Sequence, residues 1–464
     1  MTAQALSPSY LDYAAAVEHL TASYAALPPG APVRLAKRTS NLFRGRTPTT
    51  VPGLDVSAFS GVLDVDPDSR TADVLGMTTY QDLVAATLPH GLVPLCVPQL
   101  RTITLGGAVT GLGIESASWR NGSPHESVLD LDILTGEGRV VTATPTNEHA
   151  ELFHGFPNSY GSLGYALRLR IELEPATAYV RLRHVPCGDA AGLAATIDEV
   201  TRSGHHSDER VDYVDGTVFS RRESYLTLGT YTDSADQEPS DYTGAQIYYR
   251  SIPQRRTDLL TTHDYLWRWD TDWFWCSRAF GAQLPLVRAL WPKDRLRSDV
   301  YWKLVALDRR TSFSSRLTAA RRLPPREQVV QDIEVPVAAL PDFLGFFHRE
   351  VGIEPAWVCP LRHRSPAARW PLYELDPATT YVNVGFWSTV AVPRGVDPAQ
   401  GRVNRRIEQV VTDLGGRKSL YSTAFYDRDE FAQLYGGPTF DRLKAAYDPD
   451  GRLADMWTKT VGRC

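Results

Sequence analysis

A glycine-rich stretch constrains the fold of this chain more than any other segment. Residues 104–122 read T-L-G-G-A-V-T-G-L-G-I-E-S-A-S-W-R-N-G, and four glycines fall between positions 106 and 113. Glycine lacks a Cβ and accepts positive φ, so the backbone can turn tightly and its N–H groups can approach a ligand closely. Successive N–H groups in such a loop form a concavity that suits an anion. The stretch predicts an anion-binding loop, and neither an amphipathic helix nor a regular strand.

Two common phosphate-binding motifs do not match this stretch. No Gly-Lys-Ser/Thr follows the glycines, which excludes a P-loop. Gly111-Leu112-Gly113 is followed by Ile114-Glu115-Ser116, so the third glycine of a dinucleotide fingerprint is missing. The structural alternative is a flexible loop without a ligand. A second candidate for phosphate contact is the basic, hydroxyl-rich segment 37–44, for which an exposed turn is the alternative.

Length and composition limit the class of protein. A chain of 464 residues is too long for one compact core, so two or three domains are expected. The net charge of −5 predicts no general attraction to nucleic acid. The five scattered cysteines contain no C-x-x-C pair, so we expect neither a disulfide framework nor a metal site. The N-terminus does not read as a signal peptide and no apolar run is long enough to span a membrane, so the expected location is the cytoplasm.

Hydrophobic periodicity predicts an α+β fold. Residues 1–176 alternate short strands with a few helices, including a helix over 10–27 and one over 80–88 that Thr79 caps. Longer alternating strands follow a linker at 174–177 and predict an antiparallel sheet in a second domain, residues 177–415. Its early strands are expected at 179–185, 210–219, 224–232 and 244–250. The aromatic segment 260–302 is expected to fill a core or to line an apolar chamber.

Several segments, in order along most of the chain, resemble the flavoproteins with an FAD-binding domain of the vanillyl-alcohol oxidase and p-cresol methylhydroxylase type. Among these, the similarity is to Delta(24)-sterol reductase-like proteins and to bacterial methylene-fatty-acyl reductases. The segments that carry the resemblance are Pro98-Gln99-Leu100, Thr104–Gly107, Gly111–Ser118, Ser159–Gly164, Gln331–Pro336, Trp357–Arg362 and Gly416–Tyr421.

The resemblance implies FAD held by a two-subdomain, PCMH-type α+β domain at residues 1–176. An α+β cap (substrate) domain would cover the flavin from residues 177–415, and residues 416–464 would return to the FAD domain. Residues 34–46 contain no His or Cys, so the FAD is expected to be non-covalent. The positions that match cofactor-binding segments are Arg38, Thr39, Ser40, Asn41, Gln99, Thr102, Gly106, Gly107, Thr110, Gly113, Ile114, Ser116, Gly161 and Gly164.

The resemblance also implies an activity, the NADPH-dependent reduction of a lipid carbon–carbon double bond. The substrate would be a methylene-branched fatty-acyl chain, reduced to a methyl branch, or a sterol-like side chain. We expect no N-terminal membrane segment of the kind that eukaryotic sterol reductases carry, and this expectation favours the fatty-acyl substrate. A methyltransferase would be the partner that makes such a substrate, and peripheral contact with a membrane is left open.

Reduction of an alkene needs a proton donor near the substrate. The candidate catalytic residues are Tyr421 and His363, with Glu115 polarising the flavin or stabilising its loop; Tyr426 and Lys459 are further candidates for the donor. Arg362 and Arg364 are candidates for a phosphate contact. Two other functions stay open, an FAD-dependent oxidase or dehydrogenase of an alcohol or sugar, and a non-catalytic lipid-binding module.

Overall fold

A computed structural model describes residues 8–37, 43–44, 52–311, 324–367 and 369–461. Its strands are Leu35–Ala36 (β1), Leu54–Asp55 (β2), Val62–Asp66 (β3), Thr71–Leu75 (β4), Leu92–Pro94 (β5), Val128–Leu134 (β6), Val140–Ala143 (β7), Tyr165–Pro175 (β8), Tyr179–Pro186 (β9), His205–His206 (β10), Glu209–Arg210 (β11), Tyr213–Ser220 (β12), Glu223–Thr232 (β13), Thr257–Thr261 (β14), Arg326–Pro336 (β15), Ala356–Leu361 (β16), Tyr381–Ala391 (β17) and Arg417–Lys418 (β18).

The α-helices lie between these strands and after the last of them. They are Tyr10–Ala25 (α1), Tyr80–Thr87 (α2), Leu105–Thr110 (α3), Ser118–Asn121 (α4), Ala150–Gly155 (α5), Ala190–Ser203 (α6), Tyr248–Ser251 (α7), Thr262–Leu266 (α8), Pro285–Leu290 (α9), Ser298–Thr311 (α10), Leu340–Phe346 (α11), Arg402–Asp413 (α12), Arg428–Leu434 (α13), Gly437–Tyr447 (α14) and Met456–Thr460 (α15). The mixture of helices with antiparallel sheets confirms the α+β prediction.

Two large antiparallel sheets organise the chain. The first has six strands in the order β3-β4-β8-β6-β7, with β5 paired to β8. The second has eight strands in the order β14-β9-β13-β12-β16-β17-β15-β18. The chain passes from one sheet to the other between Pro175 and Tyr179. The boundaries of the domains themselves stay a prediction.

The eight-stranded sheet is buried on both faces, and its side chains alternate between two hydrophobic cores. Val358 in β16 and Val384 in β17 face a core that contains buried residues of α6, α11 and α12. Trp357, Cys359 and Leu361 point to the opposite face and join a core shared with the first sheet. This second face, the inner face, therefore looks toward the part of the chain that carries the glycine-rich stretch.

The C-terminal segment packs against the N-terminal part of the chain. The Val33 amide donates to the Arg452 carbonyl (2.8 Å), and Phe43 forms a parallel bridge with Ser422. Lys444 Nζ donates to the Ser162 carbonyl (2.9 Å). Residues from the two ends of the chain, far apart in sequence, therefore pack against each other.

Two local predictions were wrong. The glycine-rich stretch contains the short helix α3, because the Thr104 side chain caps it by accepting from the Gly107 amide (3.2 Å). Gly106 also donates to the Gly76 carbonyl (2.9 Å), and a Cβ at Gly106 would lie 2.7 Å from that oxygen. The glycines here permit close packing of a helix on backbone. No strand forms at 244–250, where one was expected: residues 248–250 belong to helix α7, and the next strand along the chain is β14.

The starts of two helices agree with the sequence patterns. Helix α1 begins after Ser9, which forms a capping box with Asp12. Thr79 caps α2 by accepting from the Asp82 amide (3.2 Å). Four of the five cysteines lie in described residues and are not disulfide-bonded there. Within the described part of the chain, no helix is both long and apolar enough to cross a membrane.

Candidate active site

A cavity of about 940 Å³ lies between the glycine-rich stretch and the inner face of the eight-stranded sheet. Its volume is at the upper end of the range of roughly 300–1,000 Å³ typical of small-molecule and cofactor sites. Most of α3 and the loop after it line one side, together with residues 98–100 and 102–104. Side chains from β15, β16 and β17 line another side. The site is therefore built from both sheets and from the C-terminal segment.

The wall on the glycine side carries an unsatisfied polar group. Gln99 is 5% exposed, lines the cavity, and its Nε2 atom has no hydrogen-bond partner among the residues described. Buried polar atoms in native proteins almost always have a partner. An amide donor left open beside a cavity indicates a ligand acceptor at this position.

Four cationic side chains line the same cavity, Arg34, Lys37, Arg44 and Lys459. Lys37 Nζ donates to Thr104 Oγ1 (3.3 Å), at the residue that caps α3. Arg44 donates to the Lys459 carbonyl (2.9 Å), and its guanidinium lies 5.0 Å from the centre of the Tyr160 ring. The cations are thus fixed near the glycine-rich segment, where an anion would find both charge and backbone.

The charge state of Lys459, one of these four residues, depends on its surroundings. Its Nζ donates to the Gly161 carbonyl (2.6 Å). Burial, with the nearby charges of Lys444 and Arg44, lowers the pKa of Lys459 to about 7. A bound anion would restore the charged form, because an opposite charge nearby raises the pKa of an ammonium group.

The inner face of the sheet contributes a carboxylate to the cavity. Asp332 in β15 pairs with Gly385 in β17, and Gly385 pairs with Trp357 in β16. A Cβ at Gly385 would collide with Asp332 Oδ1 and would lie 2.8 Å from the Trp387 ring. Because Gly385 has no side chain, the Asp332 carboxylate can lie over the sheet at this position and reach the cavity.

The environment of Asp332 shifts its ionisation into the neutral range. Burial raises the pKa of Asp332 to about 7, although Asn383 and Tyr421 nearby favour the charged form. Its Oδ1 atom is shielded from solvent and has no partner within hydrogen-bond distance among the described residues. A carboxyl group with these properties can hold or release a proton at neutral pH.

Tyr421 lies beside this carboxyl group. The Trp387 indole N–H donates to the Tyr421 hydroxyl (2.8 Å), and the Phe43 ring packs edge-on against the Tyr421 ring at 5.8 Å. Burial and the Asp332 carboxylate raise the pKa of Tyr421 well above its ordinary value. Because its oxygen already accepts from Trp387, the hydroxyl proton is oriented away from that indole and is held as a donor.

Aromatic side chains form the rest of the wall next to Asp332. Trp273, Phe274, Trp357 and Trp387 line the cavity, and Phe274 lies 4.4 Å from Trp387 between ring centres. Trp273 and Phe274 have positive φ, 46° and 59°. A left-handed conformation costs a non-glycine residue roughly 1–2 kcal/mol. Such outliers concentrate at binding sites, and these two belong to the predicted aromatic segment.

Most of the nominated cofactor-binding positions in the described residues line this cavity. They are Gln99, Thr102, Gly106, Gly107, Thr110, Gly113, Ile114 and Gly161. Ser116 and Gly164 are not among the lining residues. Gly164 has a φ of 148°, and a Cβ there would lie 2.6 Å from Ile133, so it serves close packing of β6 and β8. Arg38, Thr39, Ser40 and Asn41 lie outside the described residues.

Of the three nominated catalytic residues, only Tyr421 lines the cavity. His363 Nδ1 lies 3.3 Å from Glu126 Oε1, and both side chains are buried in that pair. Arg364 pairs with Glu172, and its amide donates to Glu126 (2.8 Å). These positions give neither His363 nor Arg364 a contact with the cavity, so the roles suggested for them have no support from geometry.

Glu115 is buried in a polar network behind the cavity wall. The carboxylate accepts from the Ala117 amide (2.8 Å) and from Ser116, whose hydroxyl lies 2.7 Å from the Tyr265 hydroxyl. Burial raises the pKa of Glu115, against the opposing charge of Arg268. The network ties the glycine-rich stretch to the second sheet, which fits the loop-stabilising role and not contact with a ligand.

The same network fixes the cavity wall through Asp215. This buried carboxylate accepts from Arg268 (2.9 Å), from the Trp269 indole (2.7 Å) and from the Trp357 indole (3.1 Å). Trp357 is therefore held by its polar edge while its ring lines the cavity.

Sequence reasoning missed Asp332 and Trp387 as site residues, whereas Lys37 and Arg44 lie in the segment 37–44 that it nominated for phosphate contact. Asp332 lies inside one of the segments that carry the resemblance, but nothing in its local pattern separates it from Glu334 two positions later. The signal that identifies it is the pairing with Gly385, which only the folded sheet provides.

Comparison with known proteins supplies the family context. Residues 8–144 match the family model described as an FAD binding domain. The chain is 26% identical to a Delta(24)-sterol reductase from Rattus norvegicus, over 86% of this chain and 75% of that protein. It is 24% identical to a Delta(24)-sterol reductase from Arabidopsis thaliana, over 88% and 76%. Cytokinin dehydrogenase 5 from Arabidopsis thaliana is 33% identical over 33% of this chain and 28% of its own length.

These matches confirm the resemblance and the PCMH-type fold expected from the sequence. The residues of the cavity fit FAD. The open Gln99 donor, the glycines and the four cations suit a diphosphate, while the aromatic wall suits a flat ring system and an apolar substrate.

Proposed function

We propose that this protein is an FAD-dependent oxidoreductase that reduces a lipid carbon–carbon double bond with NADPH. The observation that carries the proposal is the Asp332 carboxyl group, which has a pKa of about 7 and lines the cavity with Trp357 and Trp387, in a chain that matches an FAD binding domain. The sterol reductase relatives support reduction of an alkene by their names and by similarity over most of the chain.

Reduction of an alkene divides naturally between a cofactor and the protein. A bound flavin would supply a hydride, which is one proton together with two electrons, for one alkene carbon. The protein must then deliver a proton to the other carbon, from a group within hydrogen-bond reach. Asp332 is the acid of this proposal, since its pKa of about 7 leaves much of it protonated at neutral pH.

Tyr421 and Trp387 would position this acid and the substrate. Trp387 donates to the Tyr421 hydroxyl and fixes it, so the Tyr421 proton can point toward Asp332. Once Asp332 gives up its proton, this donor stabilises the carboxylate that forms. The rings of Trp273, Phe274 and Trp357 would exclude water and hold an apolar chain, which suits a substrate with no polar group at the reacting carbons.

The finer proposal is that the substrate is a methylene-branched fatty-acyl chain, with a sterol-like side chain as the second candidate. A methylene branch has to be installed by one-carbon transfer before it can be reduced, so the reaction would follow that of a methyltransferase. NADPH would be the electron donor. The wall of four cations offers charge for its phosphates as well as for those of FAD.

An anaerobic spectrum of the FAD-loaded protein tests the proposal. We expect NADPH to bleach the flavin absorbance, and a methylene-branched fatty-acyl chain to restore it while the saturated chain does not. Restoration only by a sterol with an unsaturated side chain would select the second substrate. A flavin that stays oxidised with NADPH but is bleached by an alcohol or sugar would overturn the proposal in favour of an oxidase or dehydrogenase.

A further inference from the structure

Three leucines close together in sequence are turned toward solvent. Leu284, Leu286 and Leu290 are 59%, 81% and 85% exposed and lie in or next to helix α9. In the rest of the described chain, only Tyr10 and Leu11 are large apolar residues of similar exposure. Isolated exposed leucines are common, but a cluster on one short segment indicates a contact surface. We refer to these three residues as the leucine patch.

Helix α9 is oriented opposite to an ordinary surface helix. Its one charged residue, Arg288, is 4% exposed and points into the protein. There it pairs with Asp272 and donates to the carbonyls of Gly244 (2.8 Å) and Tyr242 (2.9 Å). A surface helix normally buries its apolar side and exposes its charged side. The buried arginine thus holds the helix with its leucines outward. Exposure of these apolar side chains to water is unfavourable unless something covers them.

The surroundings of the leucine patch are basic. Arg278, Lys293 and Arg295 are exposed on either side of it. Lys293 pairs with the exposed Asp241 (3.2 Å) and Asp294 is exposed next to it, so the three cations outnumber these two carboxylates, whereas the whole chain has a net charge of −5. Apolar residues flanked by basic residues suit the boundary between the acyl chains and the headgroups of an anionic bilayer.

Aromatic contacts connect the leucine patch to the cavity. Helix α10 contributes Tyr301, which stacks on Phe280 (5.8 Å) and lies 6.1 Å from Trp291, at the two ends of the segment that holds the patch. The next residue, Trp302, lies 5.3 Å from Trp273 in the cavity wall. One helix therefore touches both the patch segment and the wall that would face a lipid.

We infer that the leucine patch docks this protein on an anionic phospholipid bilayer. The leucines would enter the acyl region, and Arg278, Lys293 and Arg295 would lie among the phosphates. The inference goes beyond the proposed reaction, because it concerns where the protein takes up or releases a lipid and does not depend on the chemistry in the cavity.

Co-sedimentation of the full-length, FAD-loaded protein with vesicles tests this inference. The vesicles contain phosphatidylcholine alone, or equal parts of phosphatidylcholine and phosphatidylglycerol. The variant Leu286→Asp/Leu290→Asp removes the patch, and Leu11→Asp is the matched control, because Leu11 is 83% exposed on α1. Retained flavin binding and an unchanged circular dichroism spectrum show that each variant is folded.

We expect the wild type and the Leu11→Asp variant to bind the mixed vesicles, and the double variant to lose about tenfold or more in partitioning. Arg295→Gln should lose about fivefold on mixed vesicles and nothing on phosphatidylcholine, because one basic residue gains about that factor from an anionic surface. Two results would overturn the inference. One is equal binding by the wild type and the double variant; the other is self-association of the wild type, without vesicle binding, that the double variant abolishes.

Discussion

Two carboxyl groups, Glu115 and Asp332, both have a pKa raised by burial but differ in their surroundings. Glu115 is 1% exposed, accepts hydrogen bonds from Ser116 and the Ala117 amide, and lies near Arg268. Asp332 faces the cavity, has one oxygen without a partner, and has no cation among the groups that shift its pKa. A satisfied buried charge contributes rigidity, whereas an unsatisfied one is available for proton transfer.

The comparison teaches that burial and a raised pKa do not by themselves identify a catalytic acid. Desolvation raises the pKa of both groups. Only Asp332 combines the shift with access to a cavity and with a second donor, Tyr421, at its side. Position relative to the cavity therefore decides between the two carboxylates.

The largest expected effect is on the reduction step when Asp332 is replaced. Asp332→Asn keeps the shape of the side chain but removes its transferable proton. We expect reoxidation of the reduced flavin by the unsaturated lipid to slow by about 10²–10⁴-fold, the usual contribution of general acid–base catalysis. Bleaching of the flavin by NADPH should change by less than about tenfold, which stopped-flow absorbance measures separately. Equal slowing of both steps would mean that Asp332 positions the cofactor.

The matched variant is Glu115→Gln, and its expected effect is on stability. Gln presents an NH2 group where Glu115 offers only acceptors, so the hydrogen bond from the Ala117 amide or the one from the Ser116 hydroxyl is lost or must reverse its direction. We expect a loss of about 2–3 kcal/mol in the free energy of unfolding, measured with denaturant. The rate of alkene reduction per FAD-loaded molecule should remain near that of the wild type. A Glu115→Gln protein of normal stability but no reductase activity would reverse the two assignments.

A third expected effect is a change in the pH dependence of stability. The pKa of Asp332 is about 7 in the folded protein, above its ordinary value of 3.8, so ionisation becomes more costly to the folded state as pH rises between these values. The wild type should therefore lose stability relative to Asp332→Asn from about pH 4 to about pH 7, with no further change above. Thermal unfolding of both proteins across this range measures the difference. A constant difference at all pH values would show that Asp332 titrates normally.

The glycine wall of the cavity was predictable from sequence because its residues are contiguous. One stretch of chain supplies Gly106, Gly107, Thr110 and Gly113, and its composition alone indicated close backbone approach to a ligand. Even there, the predicted local structure was wrong, because the Thr104 cap and the packing on Gly76 make part of the expected loop helical, as helix α3. The composition of the segment thus predicted that it would lie at a binding site, but it did not predict its conformation.

The sheet wall was not predictable, because it is assembled across strands. Asp332, Gly385 and Trp357 are far apart in sequence and meet only through the pairing of β15, β17 and β16. Tyr421 and His363 were nominated together as candidate proton donors. The fold brings Tyr421 beside Asp332, whereas the His363 side chain pairs with Glu126.

The pH dependence of a single turnover tests the central claim most directly. The FAD-loaded protein is reduced with NADPH under anaerobic conditions and mixed with the unsaturated lipid at a series of pH values. If Asp332 delivers the proton, the rate of flavin reoxidation should be constant below its pKa of about 7 and should fall tenfold for each further pH unit. This decline should be absent from the residual rate of Asp332→Asn. A wild-type rate that does not change across pH 7, or an identical decline in the variant, would contradict the account.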